Sequence, residues 1–201
     1  MANADRLTLS LLPPPGPDDQ LRAWAIRLRD EDERWQKLSQ QSVQLFLDLA
    51  MQHRLAFAFE TVFSYYAIQP DGTVKSKADM IPTLQANGYR VILLFVGLSI
   101  PELSILRVAT RRTQGGHAVP EDKLCSRFPR TQQAIGLASR VANLTLMSDN
   151  SRDLANAFTL ARIQRQSEII YDCRNPNQND DAALVEAAGG WLAKVAPDYW
   201  A

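Results

Sequence analysis

The chain has 201 residues, 46% of them hydrophobic, with four Trp and seven Phe, so it can bury a core and general disorder is excluded. Its 22 basic and 22 acidic side chains cancel to a formal charge of zero, which argues against a general nucleic-acid binder. Two cysteines without CxxC spacing exclude a disulfide framework and a paired-Cys zinc site.

The N-terminus, MANADRLTLSLLPPPGPDD, has no basic segment followed by an apolar run, and no stretch approaches the ~20 apolar residues of a membrane span. A soluble, cytoplasmic protein is expected. Leu11–Gln20 reads as a stiff extended loop because each Pro fixes its backbone and removes a donor. From about Leu21 to His53, apolar residues recur at helical spacing, which predicts a long helix broken once. Leu55–Glu60, LAFAFE, reads as a buried strand that delivers Glu60 at its C-terminal end. KADMIPTLQANG reads as a helix ended by Gly88.

YRVILLFVGL, apolar at successive positions, predicts a strand in the middle of a parallel sheet. PELSILRVATRRTQGG begins with Pro at the first helical position and stops at a Gly pair. PEDKLCSRFPRTQQAIGLASRVA opens a second helix in the same way, with Pro129 expected to bend or break it. NLTLMSDN predicts a strand and polar turn, SEIIYDC a last strand, and DDAALVEAAGGWLAKVA a terminal helix weakened by Gly189 and Gly190. Alternating strands and helices predict a single α/β domain over 1–201 with a mostly parallel sheet, and residues 152–201 as a C-terminal extension.

The cations are unevenly placed. Seventeen Arg stand against five Lys, and seven cations including His117 fall between Arg107 and Arg130. Such clustering faces a phosphate, a nucleic acid or an acidic partner. Arg107 and Arg112 are expected in surface ion pairs with Glu102 and its neighbours. Arg111, Arg127 and Arg130 have few acids close by and are read as phosphate ligands on two helices joined by the Gly115-Gly116 turn. His117, beside that turn, is read as a phosphate contact rather than a proton shuttle. Asp5 and Glu60 are the carboxylates able to accept a hydroxyl proton, although either type of position is also served by a capping or surface acid.

NADRL, FAFETVFS, PELSILRVATRRTQGGHAVPEDKLCSRFPR and MSDNS together resemble the zeta toxin family of P-loop kinases, over Asn3 to about Ser151. The resemblance implies a P-loop NTPase-like fold, an ATP- and Mg²⁺-dependent kinase, a nucleotide-sugar substrate such as UDP-N-acetylglucosamine and an antitoxin partner. It implies that Asp5 activates the substrate hydroxyl, that Glu60 and Thr61 bind the substrate, and that Arg111 acts on phosphate. It also implies phosphate or nucleotide contacts for His117, Arg127, Arg130, Asp149 and Asn150. Ser126 stands where the family's basic pair has another Arg.

The family's G-x-x-x-x-G-K-[ST] loop does not occur in the 201 residues. DGTVKS, Asp71–Ser76, has the residue types but not the spacing. By family topology the strand that carries this loop lies between Leu55–Glu60 and Arg90–Gly97, and the strand leading into NAD is expected to be missing as well. Three readings follow: a zeta-toxin-like kinase, a non-catalytic pseudokinase or interaction module, and one half of a split kinase whose P-loop comes from another chain.

Overall fold

The computed structural model describes residues 2–17, 20–113 and 119–197, without the side chains of residues 4, 5, 8, 36, 112 and 113. The fold is mixed α/β. In chain order the elements are β1 (Ala2–Asn3), α1 (Ala4–Leu11), α2 (Ala23–Glu31), α3 (Glu33–Gln52), β2 (Phe59–Glu60), β3 (Tyr66–Ile68) and β4 (Val74–Ser76). They continue with α4 (Met80–Ala86), β5 (Ile92–Gly97), α5 (Pro101–Thr113), α6 (Glu121–Val141), β6 (Leu144–Asp149), β7 (Thr159–Arg165), β8 (Glu168–Asp172) and α7 (Ala182–Val195). They form two compact units: Met1–Val62 with Arg107–Pro120, and Phe63–Leu106 with Glu121–Ala201.

In the first unit the expected helical break falls at Asp32. Its carboxylate accepts the backbone N–H groups of Arg34 and Trp35 at 2.8 and 3.3 Å, so it caps α3 while it ends α2. The Arg34 guanidinium bonds to the same carboxylate and, as the largest cause, lowers its pKa to about 2. α3 packs against α1 and α2, with Leu47 and Ala50 buried. β1 pairs in parallel with β2, Ala2 opposite Phe59 and Asn3 opposite Glu60. The three helices between them supply the long crossover that a parallel pair requires. β1 consists of Ala2 and of Asn3, the first residue of NAD, and LAFAFE is a strand only at its last two residues.

In the second unit the sheet order is β5-β6-β7-β8. β5 and β6 are parallel, with Ile92 opposite Leu144 and Gly97 opposite Asp149. β6–β7 and β7–β8 are antiparallel, so the sheet is mixed rather than mostly parallel. The reason is local: β7 and β8 are joined by only Gln166 and Ser167, which fits a hairpin and no crossover helix, and Gln166 takes a φ of 53° to turn the chain. One sheet face packs on α6 and α7 through Ile135, Met147, Ala161, Cys173, Leu184, Ala188, Trp191, Leu192 and Val195. α6 approaches α7 closely at Gly136, where a Cβ would stand 3.0 Å from the Val195 carbonyl oxygen.

Two sequence expectations are corrected here. β5 lies at the end of its sheet, not in the middle, and alternate side chains Ile92, Leu94 and Val96 are exposed while Leu93 and Phe95 pack on the core. The apolar run is real, but only one of its faces is covered. Helix α6 runs unbroken through Pro129, at the expense of the hydrogen bond that a backbone N–H there would have made to Cys125. Elsewhere, DGTVKS forms the turn and second strand of the β3–β4 hairpin, with Gly72 at φ 80°, and Gly88 ends the α4 segment at φ 85°. No described helix is long and apolar enough to cross a membrane.

Candidate functional site

The residues singled out in the sequence fall into separate groups. The first is built by the β1–β2 ladder. The Ala2 N–H donates to the Ala58 carbonyl at 2.8 Å, which holds NAD alongside FAFE. Asn3 then acts in two directions. Its Oδ1 accepts the Arg6 N–H at 3.0 Å and caps α1, and its Nδ2 donates to Glu60 Oε2 at 2.6 Å. Glu60 and Thr61 are exposed at the end of β2. Asp5 is in the first turn of α1, two residues beyond the Asn3–Glu60 contact; its side chain lies outside the described residues. Two segments 57 residues apart in sequence thus meet at one strand end.

The cations are distributed as follows. Arg111 is exposed on α5, in the part of that helix that belongs to the first unit. Arg127 and Arg130 lie on α6 in the second unit, Arg127 half-buried and Arg130 exposed. Arg130 is partly engaged by its own helix: Nε donates to the Ser126 carbonyl at 2.9 Å and Nη2 to Ser126 Oγ at 3.3 Å. His117 and the Gly115-Gly116 turn lie outside the described residues, as does the side chain of Arg112.

The last group sits at the C-terminal ends of β5 and β6. Asp149 is fully buried. Its Oδ2 accepts the Trp191 indole N–H at 2.9 Å and the Ser151 hydroxyl at 2.8 Å, and its Oδ1 accepts the Ser151 backbone N–H at 3.0 Å. The Ser151 oxygen in turn accepts the Ser99 N–H at 2.8 Å, and the Asn150 N–H donates to the Gly97 carbonyl at 3.0 Å. SDNS thus ties two strand ends together and joins them to α7. Asn150 is also buried.

Sequence reading missed a second buried polar network. Asp172, at the end of β8, accepts Arg162 Nη1 at 2.6 Å and is held bidentately by Arg174 at 2.7 and 2.9 Å. Arg162 Nε donates to Gln164, whose amide reaches the Ser139 carbonyl, and Arg174 also reaches the Ala196 carbonyl at the end of α7. Burial raises the Asp172 pKa, but the hydrogen bonds and charges of Arg174 and Arg162 outweigh it and hold the group below its ordinary value. The polar and apolar residues of TLARIQR, followed by Gln166-Ser167 and EIIYD, carry a hairpin signal for β7, but no sequence signal marks Arg162 as inward.

Among the described residues there is no group of three or more His, Cys, Asp or Glu able to hold a metal, and Asp149, the carboxylate expected near the nucleotide, accepts from Trp191 and Ser151. No family model, curated protein or solved structure matches the chain.

Proposed function

We propose that this chain carries the hydroxyl-substrate side of a zeta-toxin-like, ATP-dependent kinase acting on a nucleotide sugar or a similar small hydroxyl compound. One observation carries the reading. The β1–β2 ladder sets NADRL beside FAFETVF and joins them through Asn3 and Glu60, the two segments whose acids the resemblance assigns to one substrate. On this reading the β1–β2 pair and the β5–β8 sheet belong to a P-loop NTPase-like fold. Asp5 takes the proton from the substrate hydroxyl, and Glu60 and Thr61 hold the sugar. Arg111, Arg127, Arg130 and His117 offset phosphate charge, and Asp149 and Asn150 shape the nucleotide end from within. A P-loop-donating chain and an antitoxin are the proposed protein partners.

The test is titration of UDP-N-acetylglucosamine against the purified chain and its Glu60→Ala variant. Saturable binding that weakens at least ~10-fold in the variant, equivalent to about 1.4 kcal/mol, supports the reading. Absence of binding by both, with the chain folded, overturns it.

A second reading, a non-catalytic pseudokinase or interaction module, is favoured by the hydrogen bonds that tie Asp149 to Trp191 and Ser151. It separates from the first by phosphoryl transfer. Sugar binding without transfer, even after a Walker A segment is supplied, belongs to the second reading.

A further inference from the structure

We draw no further inference here: the strongest candidate, the outer edge of β5 with exposed Ile92, Leu94 and Val96, is an unpartnered apolar strand edge and face, and nothing in the structure shows what covers it.

Discussion

Trp191 donates its indole N–H to Asp149 and at the same time lays its ring over Gly97. A Cβ at Gly97 would fall inside the indole, so the residue opposite Asp149 on β5 has to be glycine for the ring to enter. Phe95 completes the enclosure, edge-on to the indole with centroids 5.6 Å apart. Gly97→Ala is expected to cost about 1–3 kcal/mol through overpacking. Trp191→Phe is expected to cost about 1–3 kcal/mol from the lost hydrogen bond alone, because Asp149 stays buried with one fewer donor. The smaller ring relieves the Gly97 clash, so the double variant should lose less than the sum of the two. Urea unfolding of all three proteins measures this; strict additivity would mean that the two residues do not share the site.

Asp172 predicts an acid-sensitive fold. Its pKa is lowered in the folded state, so its contribution to stability is complete above the unfolded value of about 3.9 and is lost as pH falls through the lower folded value. Asp172→Asn should remove that part of the pH dependence. At pH 7 it should also destabilise the chain by about 3–5 kcal/mol, because buried Arg162 and half-buried Arg174 lose their shared counter-charge. Denaturant midpoints for both proteins from pH 7 down to 3 provide the check. An acid limb unchanged in the variant would assign the transition to other carboxylates.

The two cysteines should behave differently toward alkylation. Cys125 is exposed, whereas Cys173 is buried and burial pushes its pKa up to about 11. Native protein at pH 8 should take one adduct quickly, mapped to Cys125 by peptide mass, and unfolded protein should take two. Rapid native labelling of Cys173 would mean that the β8–α7 core opens readily.

The exposed face of β5 should tolerate a charge. Leu94 is 72% exposed on a strand at the end of its sheet, beside Ile92 and Val96, whereas Leu93 and Phe95 pack on the core. Leu94→Lys should leave stability within about 0.5 kcal/mol, since the side chain is not in the core. Urea unfolding of both proteins checks this; a clearly larger loss would mean that this face is covered in solution.

Local chemistry was the legible part of this fold. Asp32, Gly88 and Pro101 mark helix ends by capping, left-handed backbone and a fixed φ, and each does so without help from distant residues. Neighbour relationships were not legible. An apolar run such as ILLFVG reads alike at the edge or the centre of a sheet, since the difference lies in a partner strand and not in the run. β7 was overlooked because Arg162 and Gln164 look like surface residues until Asp172 and Ser139 are brought against them by pairing. For the candidate site, the sequence pointed to Asp5 and Glu60. The residue that joins their segments, Asn3, lies inside NADRL, but its role is not legible there because it depends on a contact 57 residues away.

Asn3 allows the substrate reading to be tested apart from folding. Its side chain has two separable duties, an acceptor that caps α1 and a donor that holds Glu60. Asn3→Asp keeps the acceptor but replaces the donor with a carboxylate facing Glu60. Asn3→Ser keeps a capping oxygen on a side chain one bond shorter. Asn3→Ala loses both duties. The cap alone is worth about 0.5–2 kcal/mol, so thermal stability should fall clearly in Asn3→Ala and only slightly in Asn3→Ser. On the proposed reading, in which Glu60 holds the sugar, affinity for UDP-N-acetylglucosamine should follow a different order. It should drop in all three, and most in Asn3→Asp, where repulsion displaces the Glu60 carboxylate. Thermal unfolding and titration calorimetry on the same four proteins read the two orders. If affinity simply tracks stability across the set, Asn3 and Glu60 support only the β1–β2 ladder, and the carboxylate at its end has no role in holding the sugar.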